Sequence, residues 1–257
     1  AMQGVVLFDR SGHRPRLTPV GQVLVDQARR VLASAARFEA VAAGTRAGLE
    51  PELTIAIDPL VPTAPLIEVL KALSLRYPDL PVSFSTEGLG GALRRLRSDA
   101  ASVAICLLLP HVPEDVVAYP LMHVGMAPYV AADHPLAKLG RPAKQEDLEA
   151  HVQLVLSDPV EPTGVSYGVV SSRVWRFVDL RRRQDFLLAG LGWCRMPPHQ
   201  IADALARGLI VALEIENDPT PPEGLTVYAA HRRDRALGPA GRWLLGELSH
   251  QFVTELN

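Results

Sequence analysis

Two cysteines in 257 residues, Cys106 and Cys194, lie far apart, which excludes a disulfide-stapled scaffold. No uncharged apolar run reaches the roughly 18 residues that a membrane-spanning helix needs. The start has no basic leader followed by an apolar stretch and a cleavage site, which argues against secretion and for the cytoplasm. Net charge is only −2 while apolar residues make up 48%, a balance that excludes disorder as the main state. The signatures of an enzyme are missing as well. There is no Gly-x-Ser-x-Gly, no His-Glu-x-x-His and no phosphate loop. Gly90-Gly91 and the pair Gly190 and Gly192 do not follow a strand in the dinucleotide-binding pattern. The eight histidines are scattered without metal-ligand spacing; His123, His134 and His199 read as loop or surface positions. No catalytic residue, metal or cofactor is therefore expected. No repeat of fixed period and no low-complexity tract occurs.

What is present is uneven. Residues 1–50 carry seven Arg against four acids, and the remaining 207 carry 19 basic and 24 acidic residues. A basic end on an acidic body raises the prospect of a polyanion near the N-terminus. The first long periodic segment opens at Thr18-Pro19, an N-cap followed by a proline suited to the first helical position. Val20, Leu24, Ala28, Val31, Leu32, Ala35, Phe38 and Val41 then follow helical spacing until Gly44, Gly48 and Pro51. A helix of this length exceeds what one small core covers, so its apolar stripe is expected to pack on its own copy.

From Leu53 onward strands and helices alternate. Leu53–Ile57, Pro81–Thr86 and Ser102–Leu108 read as strands, separated by helices over 63–77 and 88–97: a βαβαβ pattern, the mark of a parallel sheet. Strand-like segments at 116–121 and 124–132 lead through the turn Asp133-His134-Pro135 to a second α/β unit. Its strands are expected at 152–156, 175–178, 191–196 and 209–213, with a helix capped by Asp179 and another over 198–206. A strand over 225–231 and an amphipathic helix over 239–255 close the chain. The reading is two α/β lobes with crossings near Val130 and Thr226 serving as a hinge. Such sheets bind ligands beyond the carboxyl ends of their strands, in the crevice between lobes.

Four segments now carry a family resemblance: Gly4–Arg10 with Leu17-Thr18-Pro19-Val20-Gly21, then Arg76-Tyr77-Pro78-Asp79-Leu80, then Asp133–Ala137, and finally Trp175–Leu180 leading to Ala189–Pro197. In this order they resemble the LysR-type transcriptional regulators over nearly the whole chain. The resemblance implies an α/β effector domain similar to type 2 periplasmic binding proteins, preceded by a long linker helix. It implies ligand-gated control of transcription, assembly as dimers or tetramers, and no catalysis. The domains would be a winged helix-turn-helix remnant at 1–17, the linker helix at 18–50, lobe I at 51–130 with 226–257, and lobe II at 131–225. The recognition helix of the family would lie before Gly4, so DNA is expected as a partner only through that missing element. Arg10, Arg14 and Arg16 would then be wing residues within reach of phosphate, contacts that position without reading sequence. A bilobal solute-binding protein is the alternative, which gives no use to the long helix.

The ligand is expected in the cleft. Its first-lobe candidates follow strand ends: Asp58, Leu60, Val61 and Thr63, then Glu87 and Leu89, then Cys106 and Leu107. Ser157, Asp179, Trp193 and Met196 are the second-lobe candidates. Asp58 and Glu87 leave two readings open: they cap their own helices, or they bind an amine or polyhydroxyl group. Cys106 and Cys194, one in each lobe and both expected near the cleft, read either as small apolar residues or as a redox clamp. Trp175 and Trp193 are expected in the core.

Overall fold

The computed structural model describes residues 4–9, 15–46, 48–158, 160, 168–218 and 224–254. Two compact units are present, residues 1–51 and 52–257. In the first, β1 (Phe8–Asp9) and β2 (Arg16–Leu17) form an antiparallel pair that leads into α1 (Pro19–Arg46). The Thr18 hydroxyl accepts from the Gly21 amide at 2.9 Å and donates to the Val6 carbonyl at 2.8 Å, capping the helix as its sequence predicts. A Cβ at Gly21 would lie 2.1 Å from the Leu7 carbonyl oxygen, so the hairpin reaches the helix only because position 21 has no side chain. The 28 residues of α1 span about 42 Å. Leu24, Val31 and Phe38 recur at heptad spacing and are exposed, Phe38 by 75%.

In the second unit, alternation of apolar runs and helical periods produces two five-stranded mixed sheets. The first contains β3 (Leu53–Ile57), β4 (Val82–Thr86), β5 (Val103–Leu107), β6 (Val116–Val124) and, returning from the end of the chain, a strand at Leu225–Arg232. β3 runs parallel to both β4 and β5, and the returning strand is antiparallel to β5 and β6. Helices α2 (Thr63–Arg76) and α3 (Gly91–Arg97) belong to this sheet, and the last helix, Pro239–Thr254, packs on α2 and β6. The helix expected from residue 88 starts at Gly91 because Gly90 takes a φ of 75°, outside helical space.

The second sheet contains β7 (Ala127–Ala131), β8 (Gln153–Leu156), β9 (Val174–Phe177), β10 (Trp193–Met196) and β11 (Ile210–Ala212), in the order β11-β7-β10-β8-β9. β8, β9 and β10 are parallel; β7 opposes its neighbours. The returning strand is β12. A short helix, α4 (Gln145–Glu149), precedes β8; α5 (Leu180–Leu188) and α6 (Pro198–Ala206) follow β9 and β10, and α7 is the final helix. Among the described residues no helix is long and apolar enough to cross a membrane.

The structure departs from the sequence expectation at the crossings and at one tryptophan. Val130 pairs with Trp193 and Val211 inside the second sheet, so the chain changes sheets at Gly125-Met126 and not at Val130. Apolar residues on both sides of the break hid it. The return crossing meets the same place: Leu225 pairs with Val124, and a Cβ on Gly224 would lie 2.4 Å from the Val124 carbonyl oxygen. Trp175, on edge strand β9, is 43% exposed and touches Phe186 edge to face, whereas Trp193 is fully buried.

Candidate functional site

A cavity of about 390 Å³ opens between the two sheets beside the crossings. The first-sheet side supplies Leu60 after β3, Leu89 after β4, and Leu107 and Leu109 at the end of β5. The second supplies Leu154, Val155 and Leu156 of β8 and Val170. Met126 and Leu225 close it at the crossings. Its size and apolar character fit a small organic ligand. The polar side chains among its described lining are Gln153, Arg183 and Arg195.

These three are held differently. Gln153 is buried and anchored at both ends of its amide: its Nε2 donates to the Gly168 carbonyl, and its Oε1 accepts from the Val170 and Ser171 amides at 2.8 and 3.0 Å. It shapes the loop that forms one wall. Arg195 is neutralised by Asp218, which accepts from Nη1 and Nη2 at 2.9 and 2.6 Å. Arg183 has no such partner. It is 4% exposed, its Nη2 donates to the Arg195 carbonyl at 3.1 Å and approaches Met196 Sδ at 3.0 Å, and its Nε has no hydrogen-bond partner. Burial lowers its affinity for the proton, with the Cys194 thiol acting weakly the other way. Leu180, Arg183 and Leu187 are the buried positions of α5 and share one helical face, so Arg183 stands where the helix period calls for an apolar residue.

Of the residues chosen from sequence, Leu60, Leu89 and Leu107 border this cavity. The others have different tasks. Asp58 is buried, and its Oδ1 accepts from the Leu60 amide at 2.9 Å; burial pushes its carboxyl up to about 6. The Val61 amide donates to the Asp58 carbonyl, and Thr63 is the exposed first residue of α2. Glu87 pairs with Arg95. The Ser157 hydroxyl donates to the Phe177 carbonyl at 3.3 Å, and Asp179 caps α5 by accepting from the Arg182 amide at 2.6 Å. Polar residues at strand-to-helix turns are engaged by the backbone they turn. Cys106 faces the core with Ala56, Ala92 and Leu96, and Trp193 packs with Val130, Leu136 and Leu148. Met196 reaches the cavity only through Arg183. Cys194 is buried in β10 and, like Cys106, lies outside the described lining. Arg16 is exposed in β2, while Arg10 and Arg14 lie outside the described residues. The run Arg181-Arg182-Arg183 on an amphipathic helix was the overlooked signal for the buried guanidinium.

Contacts also link elements of the two sheets. Arg94 of α3 pairs with Asp158 after β8 at 2.5 Å, and Gln200 of α6 donates to the Pro59 carbonyl. His199 meets the Leu60 backbone, and burial nevertheless lowers its pKa.

Two mixed sheets joined by paired crossings, with a ligand-sized cavity between them, define the type 2 periplasmic-binding-protein-like class of effector domain. Residues 46–253 match the family profile described as LysR substrate binding domain, and the chain belongs to that family. It is a LysR-type transcriptional regulator carrying an effector-binding domain. It is 29% identical to the probable HTH-type transcriptional regulator YhaJ of Escherichia coli over 96% of this chain and 82% of that protein. Among solved structures, the effector binding domain of QuiR in complex with shikimate matches with a TM-score of 0.62 at 16% identity, covering 79% of this chain and 97% of that one. The oxidized form of OxyR from Corynebacterium glutamicum matches with a TM-score of 0.56 at 23% identity, covering 98% and 79%.

Proposed function

We propose that this regulator senses a small molecule in the cavity between its sheets and that binding closes the two lobes about Gly125 and Gly224. The lobes of this reading are the two sheets with their helices. The observation that carries it is the cavity itself, lined from both sheets, while Arg94–Asp158 and Gln200–Pro59 link elements of one sheet to elements of the other. An effector that touches both walls has higher affinity for the closed arrangement, and this difference is the energy that shifts the population. In this reading the protein acts by binding, as befits a family of transcriptional regulators. It works in the cytoplasm as a dimer or tetramer, in which the exposed heptad stripe of α1 packs on a second copy. DNA is contacted through a helix-turn-helix head. The solute-binding alternative has no role for that stripe.

A thermal-shift screen against metabolites, repeated on Leu107→Trp, tests the cavity assignment. A true effector raises the melting temperature of the native protein. The shift should vanish when the indole fills the cavity. A ligand that stabilises both proteins equally would overturn the assignment.

A further inference from the structure

We propose that the cavity takes an apolar monoanion, an aryl or alkyl carboxylate whose head is received by Arg183 and whose hydrocarbon body lies against the leucines. This deepens the proposed function and rests on it, because it assumes that the cavity is the effector site.

A guanidinium removed from water loses several kcal/mol of hydration, to order of magnitude, and proteins normally return this through a carboxylate partner. Arg183 has none among the described residues, and its Nε has no acceptor at all. The contacts it does make, a carbonyl and a thioether sulfur, orient the group without neutralising it. Among the described residues, the acids Asp218, Asp158 and Asp58 are already engaged, by Arg195, by Arg94 and by the Leu60 amide. No Asp or Glu belongs to the described lining. The described cavity therefore carries one uncompensated positive charge within apolar walls. One negative charge on the ligand matches it. A dianion would leave a charge unpaired, a neutral molecule would leave Arg183 as it stands, and a cation would add repulsion. Arg195 Nε, also buried and without an acceptor, offers a second donor in the same lining.

The probes are phenylacetate and octanoate, with phenylacetamide and octanamide as neutral counterparts of similar shape. Binding is read by calorimetry on the native protein, Arg183→Met, Arg183→Lys and Leu107→Trp. Methionine keeps the length and removes the charge, so the fold should hold; circular dichroism and the melting temperature check this. The acids should bind and the amides should not. Arg183→Met should weaken the acids by about 30-fold or more, the loss expected when one member of a desolvated charge pair is removed. Arg183→Lys, which keeps charge but not the planar donor set, should recover part of that loss. Amides that bind as well as acids, acids that bind Arg183→Met unchanged, or no acid binding at millimolar concentration would each overturn the proposal. The two levels separate cleanly. Acid binding lost in Leu107→Trp but unchanged in Arg183→Met leaves the cavity standing and removes Arg183 as the receptor. Acid binding retained in Leu107→Trp removes the cavity itself.

Discussion

Replacing Asp58 by Asn should flatten one segment of the stability–pH curve. Asp58 is buried at the end of β3, where its Oδ1 accepts from the Leu60 amide at 2.9 Å. Burial pushes its carboxyl from an ordinary 3.8 up to about 6, against a smaller opposing effect of that hydrogen bond. The folded state therefore binds a proton more tightly than the unfolded chain does. The resulting contribution to stability is fully present below 3.8 and is lost as pH rises through about 6. At about 1.4 kcal/mol per tenfold change in proton affinity, the whole effect is about 3 kcal/mol. Asparagine keeps the size and an oxygen acceptor but does not titrate. Urea unfolding of both proteins from about pH 4 to about pH 8 should show wild-type stability falling by about 3 kcal/mol relative to the variant. The same substitution should also make the Cys106 thiol easier to ionise, because the Asp58 charge contributes to its raised pKa. Parallel pH curves would refute burial as the cause. A wild-type advantage that grows with pH would mean that a cation stabilises the carboxylate.

The cysteines and the α5 cap give two further expectations. Burial pushes the Cys106 thiol up to about 12 and the Cys194 thiol up to about 11, so neither supplies thiolate near neutral pH. Peroxide should leave both reduced in the folded protein, read by mass spectrometry after alkylation under denaturing conditions; rapid sulfenate or disulfide formation would contradict this. Asp179→Ala should destabilise the protein by about 1 kcal/mol through loss of the N-cap, without changing effector affinity. A change in affinity comparable to that in stability would instead place Asp179 in the site.

The order of strands and helices was legible in the sequence because each follows from local periods: alternating and continuous apolar runs for the strands, the 3.6-residue stripe for α1, α2 and α7, and Thr18, Asp179 and Gly190 as end signals. Family membership was legible for the same reason, since its motifs are turns and caps. The lining of the candidate cavity was legible only in part. Leu60, Leu89 and Leu107 were reached by reasoning from strand ends, but Asp58, Glu87, Ser157 and Asp179 sit at equally suitable places in sequence and serve the backbone or a neighbouring arginine. Sequence does not reveal which partner a short polar side chain will find, because the competing backbone group belongs to a turn whose geometry is set by packing. The crossing at Gly125 and Gly224 was hidden likewise, since strands on both sides of a change of sheet are equally apolar. The charge balance of the cavity belongs wholly to the tertiary structure. Arg183 and Arg195 are the same residue type in sequence, yet one meets Asp218 across a distance in the chain and the other meets only a carbonyl and a sulfur. Helical phase turned Arg183 inward, and the packing of α5 on the second sheet left it without a counter-charge among the described residues.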